Sequence, residues 1–120
     1  MVFRVLDATA FYAGIPFASN DSFMTTSMVY EEIQHIKTKQ GVLEMLQQTN
    51  RLQIRDPIEE SIISVTDTAI KTGDNSTISK QDVSIIALAL ENNLELITDD
   101  FAVTNVAKQL KIKTSSLMTE

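Results

Sequence analysis

One stretch, residues 79–105, constrains the fold more than any other part of the chain. Its first half repeats apolar residues around almost the whole circumference of a helix, and such a helix packs at the centre of a domain. A short apolar run over residues 94–98 follows, and it is typical of a strand covered on both faces. We therefore predict an α/β core in which Asp99 and Asp100 follow the carboxyl end of a buried strand.

Length and cysteine content limit the class of protein. A chain of 120 residues fits one domain, residues 1–120, that buries a core without disulfides or a structural metal. The sequence has no cysteine, which excludes a thiolate zinc site and a cysteine nucleophile. It shows no apolar run of membrane-spanning length and no signal peptide at its start. We expect a soluble, cytoplasmic protein without a membrane partner.

Further strands are predicted on both sides of the central stretch, each separated from the next by helical segments. Asp56 and Pro57 are expected to begin a long amphipathic helix toward Lys71. Alternation of strands and helices implies a mainly parallel sheet in a three-layer α/β/α domain. The additional strands are predicted at residues 2–6, 23–26 and 52–55, with an edge strand within residues 111–120.

Acidic residues recur where such a sheet binds ligands. Asp7 closes the first strand, Asp99 and Asp100 close a later one, and ligands gather beyond the carboxyl ends of parallel strands. Asp82 lies in the first turn of the central helix and Glu32 lies on the second helix, from where both can reach this edge. Carboxylates without cysteine or a ligating histidine suit Mg²⁺ or Mn²⁺. A site of this kind can hydrolyse phosphodiesters.

Each acid also has a purely structural interpretation. Asp7 and the pair after the later strand can cap the helices that follow them, and Asp82 can form a capping box with Ser79. Glu32 can be a solvated surface residue. The convergence of these acids at one edge of the sheet favours the metal site. His35 is the only histidine and is expected at the surface, which disfavours serine–histidine catalysis.

The charge distribution gives little indication that the protein binds nucleic acid strongly without a bound metal. The net charge is -6 at pH 7, and no block of basic residues is present. Bound cations can reverse the local field that a phosphate meets. The candidate phosphate contacts are four scattered basic residues, which in the structural interpretation simply lie on a solvated surface: Lys37, Lys39, Arg55 and Lys80.

Four segments resemble, in their order, the motifs of the PIN-domain ribonucleases: VLDATA, MVYEEI, ISKQDVSIIALALE and LITDDFAVTNVA. The last two are similar to the Nob-type endonucleases of archaea and eukaryotes, which mature the 3′ end of small-subunit ribosomal RNA. The resemblance implies an Mg²⁺- or Mn²⁺-dependent endoribonuclease whose partner is precursor ribosomal RNA in a pre-ribosomal particle. It also implies in-line attack by metal-activated water, leaving a 5′ phosphate and a 3′ hydroxyl.

The resemblance assigns one or two metal ions to the acids named above, with one or both of the last two as ligands. Glu32 is preferred to Glu31 because the acid of the family directly precedes an aliphatic residue. Thr9 matches a small hydroxyl position that can hold a metal-bound water. Thr98 and Asn105 match further positions around the last acid.

Two departures accompany the resemblance. The first motif is DATA rather than the commoner Asp-Thr-Ser-Ala, although Thr9 keeps a hydroxyl. Nob-type proteins usually carry a cysteine zinc ribbon after the PIN domain, and this chain has no cysteine. Either the chain is the first part of a longer protein or it is a stand-alone relative.

Several alternatives are open at this point. A PIN-domain toxin of a toxin–antitoxin pair would use the same chemistry on a different RNA, and a catalytically silent PIN-like module would serve as an RNA or protein scaffold. A phosphoreceiver domain needs an acid pair after its first strand, and a haloacid-dehalogenase phosphatase needs a second aspartate in its first motif; this chain has neither. A homodimer is also open, with Phe11, Phe17 and Phe23 as interface residues, although burial in the core is the expectation for most of them.

Overall fold

The computed structural model of the protein describes residues 2–34 and 40–117. Three residues considered above lie outside these ranges: the single histidine, His35, and the candidate RNA contacts Lys37 and Lys39.

The described residues form five strands, each followed along the chain by one or more helices except the last. The strands are β1 (Phe3–Leu6), β2 (Ser22–Thr25), β3 (Leu52–Ile54), β4 (Glu95–Ile97) and β5 (Thr114–Ser115). The helices are α1 (Ala8–Tyr12), α2 (Ser27–Ile33), α3 (Gln40–Gln48), α4 (Glu59–Thr72), α5 (Lys80–Asn92) and α6 (Phe101–Gln109), with a 3-10 turn over Ile15–Phe17. The predicted strands are therefore confirmed with shifts of one or two residues at their ends.

The strands form one five-stranded sheet in the order β3-β2-β1-β4-β5, and all its pairings are parallel. From β1 the chain moves outward to β2 and β3, then returns to the other side of β1 for β4 and β5. Because crossovers between parallel strands are right-handed, this reversal puts the connecting helices on opposite faces. The predicted α/β/α architecture is confirmed, and its ligand-binding crevice belongs between the carboxyl ends of β1 and β4.

Helix α5 is the centre of the core, as predicted. Its residues 84–89 are all buried, and the helix contacts β1, β4, α2 and α4. Asn93 ends it in the left-handed conformation, with φ of 55°. Each fully buried Leu or Ile side chain of this helix contributes about 1.5–3 kcal/mol to folding. The N-terminus of α5 is thus held rigidly against the crevice.

The predicted start of α4 at Asp56 and Pro57 is wrong. The helix begins at Glu59, with Ile58 as its N-cap residue. Asp56 is engaged elsewhere, because its Oδ1 accepts hydrogen bonds from the backbone N–H of Ser27 (2.9 Å) and from the Ser27 hydroxyl (2.8 Å). It therefore caps the neighbouring helix α2 rather than its own.

The aromatic residues near the first helix mostly serve the core. Phe11 and Phe23 are each 1% exposed, and Phe17 is partly buried against the hydrophobic core. The interface suggested for these residues is therefore wrong for Phe11 and Phe23. The predicted break after α1 is confirmed: Gly14 takes a left-handed φ of 83° and Pro16 lies in the following turn. Among the described residues, no helix has the length and apolarity needed to cross a membrane.

Candidate active site

A cleft of about 860 Å³ opens beyond the carboxyl ends of β1 and β4. All five acids predicted from the sequence line it: Asp7, Glu32, Asp82, Asp99 and Asp100. Glu31 is not among the lining residues, in agreement with the preference for Glu32. The remaining wall is mostly apolar and includes Ile15, Val29, Ile85 and Leu117. The reversal of the strand order thus places five carboxyl groups around one cavity.

Asp7 is the most firmly held of these acids. Only 4% of it is exposed, at the point where β1 gives way to α1. Its Oδ1 accepts hydrogen bonds from the Thr9 hydroxyl (2.8 Å) and the Ala10 N–H (2.9 Å), and its Oδ2 accepts one from the Thr98 hydroxyl (2.8 Å). These donors compensate the loss of water around a buried carboxylate. The predicted capping of α1 by Asp7 is confirmed, while the side chain also borders the cleft.

Asp82 approaches from the first turn of α5. Its Oδ2 accepts a hydrogen bond from the Ser79 N–H and its own N–H donates to Ser79 Oγ, both over 3.0 Å, so the predicted capping box is confirmed. Burial raises the pKa of the Asp82 carboxyl group, the Ser79 hydrogen bonds oppose this, and the carboxylates of Asp100 and Asp7 raise it further. Acids from two other elements therefore disfavour ionisation of Asp82 across the cleft.

The two acids after β4 make different contacts. Asp100 caps α6, accepting a hydrogen bond from the Val103 N–H over 3.0 Å, and its carboxylate acts on Asp82. Asp99 accepts hydrogen bonds on Oδ1 from the Leu117 N–H (3.0 Å) and the Ser116 hydroxyl. Each of the two acids thus has one oxygen in hydrogen bonds to the protein, but only Asp100 raises the pKa of Asp82, which favours Asp100 as the acid that acts with Asp7 and Asp82.

Glu32 borders the cleft from α2 and is exposed to solvent. Its backbone carbonyl accepts a long hydrogen bond of 3.4 Å from the Tyr12 hydroxyl, which joins α2 to α1. Helix α2 is also tied to α5, because the Thr26 and Ser84 hydroxyls lie 2.8 Å apart in the interior. The backbone beneath Glu32 is thus fixed, while its exposed carboxylate can rotate toward the cleft.

The other predicted residues divide between the cleft and its surroundings. Thr9 lines the cleft, and Thr98 is buried beneath it with its hydroxyl on Asp7. Asn105 lies on α6 and lines a neighbouring cavity instead. Arg55 and Lys80 are exposed and do not line the cleft, so the structure does not bring these two candidate RNA contacts together with the acids.

The apolar wall was not predicted from the sequence. Ile15 comes from the 3-10 turn and Leu117 from the segment after β5, and both lie outside the motifs that carry the five acids of the cleft. No local pattern marks these positions, because an isolated aliphatic residue in a loop has many structural explanations. Only the fold of the chain brings them to the cleft.

Whether these acids suit a divalent ion depends on how they are arranged. Within residues 2–34 and 40–117, no group of three or more His, Cys, Asp or Glu side chains is arranged to hold a metal ion directly. The donor set nevertheless consists of hard oxygens that repel one another, and each carboxylate retains lone pairs beyond its protein hydrogen bonds. Mg²⁺ keeps several waters and uses only one or two carboxylates. The residues therefore fit a hydrated ion better than a closed cage.

The sequence matches a known family over most of its length. Residues 4–91 match the family described as the PIN domain of ribonuclease. This chain is a PIN domain. Among its relatives, Endoribonuclease Nob1 of Methanocaldococcus jannaschii is 38% identical over 100% of the chain and 59% of the relative. Ribonuclease VapC3 of Aeropyrum pernix is 30% identical over 88% of the chain and 79% of the relative.

Solved structures show the same fold at low sequence identity. The structure of VapBC-1 from nontypeable Haemophilus influenzae aligns with a TM-score of 0.63 and 20% identity, covering 99% of this chain and 100% of that one. At such identity the likeness establishes the PIN fold alone. This PIN domain spans little more than half the length of the Methanocaldococcus relative.

Proposed function

We propose that this PIN domain is an endoribonuclease that uses one or two Mg²⁺ or Mn²⁺ ions, held by Asp7, Asp82, Asp100 and Glu32 with Asp99 alongside. The observation that carries the proposal is the convergence of Asp7, Asp82 and Asp100 on one cleft at the reversal of the strand order, where Asp100 and Asp7 disfavour ionisation of Asp82. Repulsion between carboxylates is unfavourable until a cation neutralises it. A purely structural set of helix caps has no need to converge in this way.

The lining of the cleft also supports a requirement for metal. No lysine or arginine is among its residues within the part of the chain that the structure describes. A phosphodiester entering this cleft would meet several carboxylates without a compensating positive charge. A divalent cation would reverse that field. Binding of RNA at the cleft is therefore expected to depend on the metal.

The chemistry can be divided between the metal and the protein. Bound divalent ions would supply a hydroxide equivalent and stabilise charge on the phosphate and leaving oxygen. Asp7, fixed by Thr98 and Thr9, would provide the rigid part of the site, and the exposed Glu32 would provide an adjustable carboxylate. Thr9 lines the cleft, and its hydroxyl oxygen, whose hydrogen is donated to Asp7, would keep lone pairs that can accept a hydrogen bond from a metal-bound water. The apolar wall would exclude bulk water around the reacting groups.

The substrate we propose is precursor small-subunit ribosomal RNA at its 3′ end, in the pre-ribosomal particle. Support comes from the match to an endoribonuclease named Nob1 along the whole chain, at higher identity than the match to the VapC relative. Arg55 and Lys80, both exposed, remain proposed contacts to phosphates outside the cleft.

The test is cleavage of end-labelled RNA that spans the 3′ end of small-subunit ribosomal RNA, with Mn²⁺ or with EDTA. The matched inactive variant is Asp82→Asn, and an unrelated RNA of equal length is the control substrate. Metal-dependent cutting at one position, by the wild type only, would support rRNA maturation. Cutting of the unrelated RNA instead would favour a toxin ribonuclease. No cutting of either RNA, together with no binding of Mn²⁺, would overturn the proposal in favour of a scaffold.

A further inference from the structure

Phe101 is the most exposed of the large apolar side chains that the structure describes, at 80%. It is the first residue of α6 and directly follows Asp100, whose carboxylate caps that helix. An aromatic ring in this position gains almost nothing from the core. A single exposed apolar residue is ordinary, so the surroundings of the ring decide whether it has a role.

The ring borders a second cavity, of about 480 Å³, next to the acidic cleft. Asp99 lines both cavities, so the two spaces meet at the end of β4. Asn105 and Lys108 line the second cavity from α6, and residues 114–116 line it from the edge of the sheet. Its volume falls within the range of about 300–1,000 Å³ found for sites that bind small molecules.

The side chains of α6 are divided between two faces. Val103, Val106 and Ala107 are buried and anchor the helix to the core. Phe101, Asn105 and Lys108 are spaced four and then three residues apart, which puts them on one face of a helix. All three are exposed. An aromatic ring, an amide and a cation are therefore presented together on a helix whose position is fixed.

We infer that this second cavity binds one nucleotide of the RNA strand, next to the phosphate that is cleaved. The base stacks on the Phe101 ring, the Asn105 amide forms hydrogen bonds to the edge of the base, and Lys108 contacts a backbone phosphate. Single-stranded RNA is bound in this way by proteins that combine an exposed aromatic ring with nearby cations. The inference rests on the proposed ribonuclease function, since it needs RNA in the acidic cleft.

The charges agree with a strand that runs from one cavity to the other. The acidic cleft has no lysine or arginine among its described lining residues, whereas the second cavity has Lys108. A strand whose cleaved phosphate lies on metal in the first cavity would thus find a protein cation for a neighbouring phosphate. Stacking on Phe101 tolerates any base, and the Asn105 amide would add a preference among bases.

The test measures binding of a fluorescent single-stranded RNA to the protein with all its cleft acids intact, with Ca²⁺ in place of Mg²⁺ so that binding is measured without cleavage. Because base stacking on an aromatic ring gives roughly tenfold in affinity, Phe101→Ala should weaken binding about tenfold, and Phe101→Tyr should leave it within about twofold. The matched control is Ile70→Ala, which truncates another exposed apolar residue, on α4, and should have no effect. None of these changes should lower the melting temperature by more than a degree or two.

A second measurement separates stacking from any indirect effect. A series of RNAs is used, each lacking one base near the cleavage position. One member of the series should bind the protein that retains Phe101 about tenfold more weakly than the complete RNA does. That same RNA should bind Phe101→Ala no more weakly than it binds the protein with Phe101, because removing the base already removes the stacking contact with the ring. Equal binding by Phe101→Ala and Phe101, in a protein that cleaves RNA, would overturn the inference alone. A wild type that cleaves no RNA would instead overturn the proposed function.

Discussion

The hydroxyl of Thr98 donates a hydrogen bond to Asp7 Oδ2 over 2.8 Å, across 91 positions of sequence. The Thr98 hydroxyl oxygen in turn accepts a hydrogen bond from the Asp100 N–H over 3.1 Å. One buried side chain therefore connects the acid after β1 to the acid that begins α6. The spacing of these two carboxylates depends on Thr98 as much as on the two strands.

We predict that Thr98→Val, which removes the hydroxyl and keeps the shape, lowers the rate of RNA cleavage at least tenfold. It leaves a buried Asp7 oxygen and the Asp100 N–H without their partner, so the free energy of unfolding should fall by about 1–3 kcal/mol. Thr98→Ser is the matched control, because it keeps the hydroxyl and should retain most of the cleavage rate and most of the unfolding free energy. Single-turnover cleavage and chemical denaturation measure the two effects. Equal loss in Val and Ser variants would contradict the role of the hydroxyl.

Asp7→Asn should destabilise the fold. All three partners of the Asp7 carboxylate are donors, two hydroxyls and one N–H, whereas an amide has only one acceptor oxygen. At least one donor would then face the amide NH₂ group, at a cost of about 1–3 kcal/mol in unfolding free energy. Asp82→Asn keeps an acceptor for the Ser79 N–H and should cost little. Urea denaturation of both variants measures the difference. Equal losses of unfolding free energy in Asp7→Asn and Asp82→Asn would contradict the prediction.

Asp82 should also give stability a specific dependence on pH. Its pKa in the folded protein is raised by burial and by Asp100 and Asp7, so ionisation of this group disfavours the native state. The contribution of protonated Asp82 is complete below its ordinary pKa of about 4 and is lost as the pH rises through the higher folded value. Without metal, Asp82→Asn should therefore match the wild type near pH 4 and become the more stable of the two toward pH 7.

Melting temperatures in EDTA across this pH range measure the difference. The comparison between the two proteins cancels the titration of the other acids, provided that these respond equally. A variant that is less stable than the wild type at every pH would show that the capping contribution of the Asp82 carboxylate outweighs its repulsion.

Much of this architecture is predictable from the chain because the signals are local. The all-round apolar pattern of α5 and the short run before Asp99 identify the centre of the fold. The position of acids after strands identifies the edge where ligands bind. Asp56 shows the limit: an Asp-Pro pair before an amphipathic segment predicts a helix start, yet the side chain caps α2 instead. Contacts between distant segments decide such cases, and no local pattern contains them.

The candidate site shows the same division. Asp7, Asp82, Asp99 and Asp100 can be predicted because each follows a strand or lies at the start of a helix. Glu32, near the end of α2, has no such position and is identified by the resemblance to the family motif, and the relative arrangement of the acids cannot be predicted. That Asp99 turns to Leu117 while Asp100 acts on Asp82 depends on where the segment after β5 passes. The exposure of Phe101 likewise depends on which side of α6 faces the core, and its neighbours in sequence do not distinguish it from a core residue.

Divalent metal should stabilise the wild type more than its acid variants. Binding to the native state alone raises the free energy of unfolding by about 2.7 kcal/mol at a metal concentration of 100 Kd. Asp82→Asn and Asp100→Asn remove part of the site and should show a much smaller rise in melting temperature with Mn²⁺. NaCl at equal ionic strength is the control, because screening alone also relieves repulsion between carboxylates. An equal rise with NaCl and MnCl₂ would indicate screening without a metal site.

Asp56 provides a test of how the position of Glu32 is maintained. The Asp56 carboxylate accepts hydrogen bonds from the N–H and hydroxyl of Ser27 at the first turn of α2, the helix that carries Glu32 to the cleft. Asp56→Ala removes this cap and should lower the free energy of unfolding by about 0.5–2 kcal/mol. Cleavage, measured well below the melting temperature, should fall several-fold because α2 loses a restraint at its N-terminus.

The matched control for this change is Asp67→Asn, which removes a charge from an exposed position on α4. It should leave stability and cleavage unchanged, which excludes net charge as the cause. Asp56→Asn keeps one acceptor for the Ser27 N–H and should recover most of the stability. If Asp56→Ala lowers stability but leaves cleavage intact, Thr26 and its contact with Ser84 suffice to hold α2, and Asp56 serves the fold alone.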